Sequence, residues 1–212
     1  MSDDGKRDER AASPDLRVGF DDDAGAAWRR EARARLIEAR LAVPAEERAR
    51  VADEVAETLQ RVVRPEPGMT IGVYWPFRGE LDLRGWMAAA HGAGARVALP
   101  VVVEKAAPLE FRAWSPGCAM TRGVWNIPVP ADVTPVAPDV VVAPLVGFDA
   151  GGFRLGYGGG FYDRTLAAMI PRPLVVGVGM EIAAMPTIRP QPYDIPMDVI
   201  VTGPEAIFRR EE

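Results

Sequence analysis

The sequence predicts an α/β protein: a single three-layer α/β/α domain on a mostly parallel sheet, preceded by a disordered N-terminal tail. Three observations lead there. Two stretches with helical character come first, and from residue 70 onward short β-branched runs alternate with helical segments, the order that puts helices on both faces of a parallel sheet. Those runs are bounded by Gly and Pro, as buried strands are. And 212 residues with 48% hydrophobic content suffice for one sizeable core but are short for two domains.

Residues 1–24 mix acid and base (Asp3, Asp4, Lys6, Arg7, Asp8, Glu9, Arg10, then Asp21, Asp22 and Asp23) with little apolar content, which predicts disorder; the folded domain is expected over 25–212. Residues 26–41, rich in Ala, Arg and Glu, predict a helix. On it Arg29 and Arg33 stand four apart on one face, where two cations repel unless an anion joins them; a solvated basic face is the plainer reading of the spacing. Pro44 suits the first turn of a second helix, with Glu46 and Glu47 at its positive end. Val51, Val55, Leu59 and Val62 recur at helical spacing and mark its buried face, and Pro65-Glu66-Pro67-Gly68 stops it.

Residues 70–75 (TIGVYW) predict a strand, 76–80 its loop, 83–90 a helix ended by Gly92 and Gly94, and 96–103 the next strand. Such a unit is a parallel crossover, and α/β sheets take ligands at the carboxyl ends of their strands. Glu80 falls in that loop, and Trp75 just before it reads as a core aromatic. Residues 108–114 predict a strand, antiparallel and near an edge; 121–130 a Pro-rich loop carrying Trp125; 140–146 a buried strand; 162–169 a helix; 174–179 a strand. A proline-marked loop over 185–192 then leads past Asp194 and Asp198 to a last strand at 199–202.

Composition narrows the function classes. A net charge of −5 and a pI near 5.1 argue against a nucleic-acid partner. The single cysteine, Cys118, forms no intramolecular disulfide, and with one histidine, His91 at a helix end, it argues against structural zinc. No apolar stretch approaches a membrane span, and the polar start has no signal-peptide core. A cytoplasmic monomer acting on a small molecule is expected.

Residues 148–164, FDAGGFRLGYGGGFYDR, carry the chemistry. Glycines let backbone N–H groups converge, and such a nest before a helix N-terminus suits a phosphate; a flexible turn is the plainer alternative. Arg154 offers a fork-shaped donor to a phosphate oxygen, and Asp163 a carboxylate for Mg²⁺. No Gly-Lys-Ser/Thr follows, so this is not a Walker loop, and Phe161 stands where a dinucleotide fingerprint needs its third glycine.

The run Phe148-Asp149, Gly152, Arg154-Leu155-Gly156, Gly158, Gly160, Phe161, Tyr162 and Asp163 resembles the signature of the 5-formyltetrahydrofolate cyclo-ligase (methenyltetrahydrofolate synthetase) family. The resemblance implies ATP- and Mg²⁺-dependent cyclisation of 5-formyltetrahydrofolate to 5,10-methenyltetrahydrofolate, with ADP and phosphate released. It implies that Arg154, Tyr162 and Asp163 are catalytic, and that Arg29, Arg33, Arg154, Leu155, Gly156, Tyr157, Gly158, Gly159, Gly160, Phe161 and Tyr162 hold ATP. Arg33, Trp75, Glu80, Trp125, Tyr157, Gly158, Gly159, Gly160 and Phe161 would meet the folate, with Trp125 either stacking on the pterin or stapling its loop. Asp163 and Asp194 would hold Mg²⁺, while Asp198 is the alternative to Asp194 and can instead cap a strand turn. Family members carry Lys-x-x-x-Arg where this chain has Arg29-x-x-x-Arg33, a departure that bears on ATP affinity because Arg and Lys bind phosphate differently. It also leaves open a second reading, a nucleotide- or folate-binding module of the same fold without turnover.

Overall fold

The computed structural model describes residues 23–209; the expected tail at 1–22 lies outside them. The first helix, α1 (Asp23–Ala42), starts earlier than residue 26, so Asp23 and Ala24 belong to the helix. Pro44 is the N-cap of α2 (Ala45–Val63). The apolar stripe of α2 is buried through Ala52, Val55, Leu59 and Val63, with Val51 and Val62 at its margins.

The strands follow as β1 (Thr70–Gly72), β2 (Arg96–Val101), β3 (Glu110–Trp114), β4 (Met120–Arg122), β5 (Pro128–Pro130), β6 (Pro135–Val136), β7 (Val140–Pro144), β8 (Gly147–Phe148), β9 (Arg154–Leu155), β10 (Leu174–Val178), β11 (Val199–Val201) and β12 (Ala206–Arg209). Helix α3 (Arg84–Gly92) lies between β1 and β2, and α4 (Phe161–Ala168) between β9 and β10. The main sheet runs β12-β11-β10-β7-β1-β2-β3-β6. Its five inner strands from β11 to β2 are parallel, and β12, β3 and β6 join antiparallel, so β3 is antiparallel and near an edge as expected.

Alternation along each strand splits the core into two layers. Val140, Val142, Val176, Val178, Val199 and Val201 pack with Ile71, Val97 and Leu99 against Val55 and Leu59 of α2 and Trp86 and Met87 of α3. Val141, Ala143, Val175, Ile200 and Ala98, the residues between them, pack with Leu166 of α4. Helix α1 closes a third cluster, in which Ala32 and Leu36 meet Val146, Leu155 and Ile188. The expected three-layer α/β/α arrangement is therefore the fold.

Two local expectations change. The ladder expected over 70–75 pairs only through Gly72, with one further bond from Val73 N to the Ala98 carbonyl, and Tyr74 and Trp75 leave it to wall a cavity. The loop expected over 121–130 contains the β4–β5 hairpin, closed by a 3₁₀ turn at Val124–Asn126. Pro128 and Pro130 masked it, because proline lacks a ladder donor; in a two-stranded ribbon such a residue can face the free edge.

The chain leaves β1 toward β2 on one side, and returns through β7 to β10 on the other. The strand order thus reverses between β1 and β7, and the crevice beyond their carboxyl ends is the place where such sheets bind ligands. Gly72, the last residue of β1, sets the packing there: a Cβ on it would lie 2.5 Å from the Phe111 ring. Gly72→Ala should therefore cost about 1–3 kcal/mol of stability, read as a lowered urea midpoint with an unchanged slope.

Candidate active site

A cavity of about 410 Å³ opens at that crevice, within the size range of small-molecule sites. Its walls come from α1, the loop after β1, the carboxyl ends of β2 and β7, the β4–β5 hairpin, the glycine loop 156–160, the start of α4 and the loop around Asp194. Arg29, Arg33, Trp75, Glu80, Trp125, Arg154, Gly156, Tyr157, Gly158, Gly159, Gly160, Phe161, Tyr162, Asp163 and Asp194 all line it. Leu155 does not: its side chain is fully buried in the α1 cluster.

One end is built from arginines, glycines and two carboxylates. Arg33 on α1 donates from Nε to the Gly156 carbonyl at 2.8 Å, tying the helix to the loop. Burial, then the neighbouring Arg29 charge, lowers its pKa from the usual arginine value. Gly158 (φ 95°) and Gly160 (φ 62°) take left-handed backbone that glycine adopts without strain, and Gly160 is the N-cap of α4. Arg154 is buried, pairs with Asp163 at 3.2 Å, and lies 4.9 Å over the Tyr162 ring. Arg29 forms an ion pair with Asp194 and donates to the Arg189 carbonyl at 2.7 Å, so its fork spans both ends of the 189–194 loop. Asp194 also accepts from Gln191 N at 2.7 Å, and Asp163 from Ile195 N at 3.2 Å. The Nε atoms of Arg29 and Arg154 are buried and have no hydrogen-bond partner among the described residues.

The other end is aromatic. Phe77 and Trp125 stack with rings 6.2 Å apart and 9° from parallel, and Tyr157 tilts against both. Trp125 sits on the hairpin turn with φ of 56°, about half exposed. Trp75 lines the cavity and packs on the core, with the Arg84 guanidinium 5.1 Å from its ring. Glu80 accepts from Phe77 N at 2.9 Å and from the Tyr157 hydroxyl at 2.9 Å. Burial pushes the Glu80 carboxyl up to about 7, against the pull of Arg40 and these two hydrogen bonds. Burial also raises the hydroxyls of Tyr162 and Tyr157, so both remain protonated donors at neutral pH.

Asp198, the alternative to Asp194, lies elsewhere: it accepts from Val175 N and pairs with Arg172, a structural role. His91 is exposed in the last turn of α3, and Cys118 packs 3.5 Å from the Met120 sulfur. Two supporting residues escaped the sequence reading, and a third, Asp149, was named there only as part of the signature run. Arg40 is buried beneath Tyr157; its position, i+11 from Arg29 on the same helical face, was a legible signal. Phe77 stands in the loop after β1, where only its aromatic character marked it. Asp149 is buried and accepts from Gly151 N, Phe153 N and Ile188 N, joining the glycine-loop hairpin to the loop that leads to Asp194.

Fold and cavity together define an α/β ligand-binding domain whose site joins an arginine- and glycine-rich end to an aromatic, carboxylate-bearing end. The profile of the 5-formyltetrahydrofolate cyclo-ligase family matches residues 25–203, and the chain belongs to that family. It is 36% identical over 140 residues to the 5-formyltetrahydrofolate cyclo-ligase of Escherichia coli K12, spanning 63% of this chain and 77% of that protein. With the cyclo-ligase of Mycolicibacterium smegmatis it shares 32% over 149 residues, 66% of this chain and 76% of the other. The solved structure of Aquifex aeolicus 5,10-methenyltetrahydrofolate synthetase superposes with a TM-score of 0.71 at 28% identity, covering 86% of this chain and 92% of that one.

The raised Glu80 carboxyl makes a stability prediction. A carboxyl whose folded pKa lies above its unfolded value favours folding fully below about 4.5, and that contribution is lost as pH rises to about 7. Glu80→Gln removes the buried charge, and the Tyr157 hydroxyl can turn its proton to the Phe77 carbonyl 3.4 Å away. The variant should be more stable than the parent by about 1–2 kcal/mol at pH 8 and equal to it at pH 5, read from thermal melts; the carboxyl's edge on the cavity keeps the figure below the full shift.

Proposed function

We propose that the chain cyclises 5-formyltetrahydrofolate to 5,10-methenyltetrahydrofolate in this cavity, with ATP converted to ADP and phosphate. The observation that carries the reading is the two-ended cavity: groups suited to phosphates at one end and to a planar, N–H-rich ring at the other, in a chain of the cyclo-ligase family. The formamide oxygen of the substrate is a poor leaving group, and ATP supplies the phosphoryl group that lets it depart as phosphate when N10 of the same folate closes the ring.

The protein's share is positioning and charge stabilisation. Arg33, Arg154 and the amides of 156–160 hold the phosphates, with Arg29 assisting. The unpartnered Nε atoms of Arg29 and Arg154 support this, since a polyphosphate is the kind of group that satisfies buried cationic donors. Tyr162, kept protonated by burial, donates to the formyl oxygen. Phe77, Trp125 and Tyr157 offer the flat surfaces on which a pterin stacks, and Glu80 accepts its N–H groups. In this reading the chain acts as a cytoplasmic monomer.

Asp163 and Asp194 fit a Mg²⁺ ion by the chemistry of their donors. Both are carboxylates on the same cavity, and Mg²⁺ is held by one or two carboxylates together with water and substrate phosphate oxygens. Each now faces an arginine, Arg154 and Arg29, so a bound metal and its phosphates would share these charges. When bound, the ion neutralises phosphate charge and orients the transferred group. The alternative, a binding module without turnover, rested on arginine in place of lysine at position 29; that arginine still lines the cavity and pairs with Asp194.

Two measurements test the reading. Purified protein with 5-formyltetrahydrofolate should develop the near-ultraviolet absorbance of the conjugated methenyl product only when ATP and Mg²⁺ are both present; folate and nucleotide binding without that rise would establish the module instead. Asp163→Asn should lower turnover about 10–100-fold and raise the Mg²⁺ concentration needed for half-maximal rate, with the melting temperature within a few degrees of the parent. Unchanged turnover would remove Asp163 from the mechanism.

A further inference from the structure

Arg40 shares the α1 face of Arg29 and Arg33, yet it is 6% exposed and does not line the cavity. Burying a guanidinium is costly unless its donors and its charge are both answered. Its donors are answered by three segments that meet around the cavity. Nε donates to the Arg78 carbonyl in the loop after β1 at 3.0 Å, and one terminal nitrogen to the Leu145 carbonyl after β7 at 3.2 Å. The other terminal nitrogen donates to the Tyr157 hydroxyl in the glycine loop at 2.5 Å. That hydroxyl donates onward to Glu80 at 2.9 Å. The negative charge that answers Arg40 is therefore Glu80, one hydroxyl away.

We propose that Arg40 is a positioning residue for the folate end of the site: it pins the loops after β1 and β7 to the glycine loop and, through Tyr157, presents Glu80 to the substrate as a charged acceptor. The inference rests on the folate reading above. The groups that face Glu80 divide in sign. Burial favours its neutral form; the uncharged hydroxyls of Tyr74, beyond β1, and Tyr162, on α4, feel its charge, and Asp82 lies beside Tyr74. Arg40 from α1, Phe77 N and the Tyr157 hydroxyl favour the carboxylate. Arg40 is the only full positive charge in that second group. Without it, Glu80 holds its proton through neutral pH and loses acceptor capacity.

The test is calorimetric titration of 5-formyltetrahydrofolate into the full chain, without nucleotide, between pH 6 and 9. Parent affinity should fall on the acid side as Glu80 takes up its proton. Arg40→Met should bind about fivefold more weakly at pH 7, with the midpoint of the pH profile moved up by about one unit, and recover toward the parent at pH 9. Arg40→Lys should keep the midpoint, because the charge remains, and lose affinity a few-fold, because the fork is gone. Tyr157→Phe keeps the ring and the guanidinium but removes the shared hydroxyl, and should raise the midpoint even if Arg40→Met does not fold. An unmoved midpoint in Tyr157→Phe and in Arg40→Met where it folds, or a loss by the same factor at every pH, overturns the proposal. Folate binding by a parent that makes no methenyl product counts against the cyclisation reading alone, whereas a parent that does not bind the folate overturns both.

Discussion

A buried guanidinium has to be met by acceptors, and in this protein meeting them organises the site. Arg40 reaches the backbone after β1, the backbone after β7 and the side chain of Tyr157. Those segments flank the point where the strand order reverses. The parallel sheet supplies a crevice, but a crevice between two strand ends has no defined width until something ties its sides together. Helix α1 does so from outside the sheet: Ala32 and Leu36 seat it on Leu155 and Ile188, and Arg33 and Arg40 bond across the seam. Apolar burial holds the helix down, and the arginines give it register against the glycine loop.

At the arginine- and glycine-rich end, opposite charges are already joined: Arg29 with Asp194, Arg154 with Asp163. Each pair is largely buried, and a buried pair stays favourable only while both members find partners. A polyanion accompanied by a cation is a ligand that can enter without stranding either sign, since it offers negative oxygens to the arginines and positive charge to the carboxylates. The same balance runs through the other end, where Glu80 and Arg40 answer each other across Tyr157. The cavity is thus nearly neutral as a whole but polarised residue by residue, which suits the proposed reaction, in which charge moves between a phosphate and the folate.

Asp149 shows how such a site is kept in shape from below. Its carboxylate takes three backbone N–H groups, two from the turn of the β8–β9 hairpin and one from Ile188, so that hairpin and the loop leading to Asp194 are tied together. A residue in the signature run therefore serves geometry instead of touching the cavity.

Much of the protein was legible in the chain itself. β-branched runs alternating with helical segments set the parallel sheet, since continuous apolar strands are buried on both faces and need helices on each side. The glycine run with Arg154, Tyr162 and Asp163 is local, and local chemistry is what a sequence displays. The β4–β5 hairpin was hidden by Pro128 and Pro130, whose propensities argue against strands that pairing at a free edge permits. Leu155, inside the signature, proved to be core, because alternation turns every second residue of that hairpin inward. What only the tertiary structure decided are the pairings across long chain separations: Arg29 with Asp194, Arg40 with Leu145 and Tyr157, Glu80 with Tyr157. Charges signal their type in a sequence but not their partners, because the distances that govern Coulomb and hydrogen-bond energies exist only after the fold has brought the segments together.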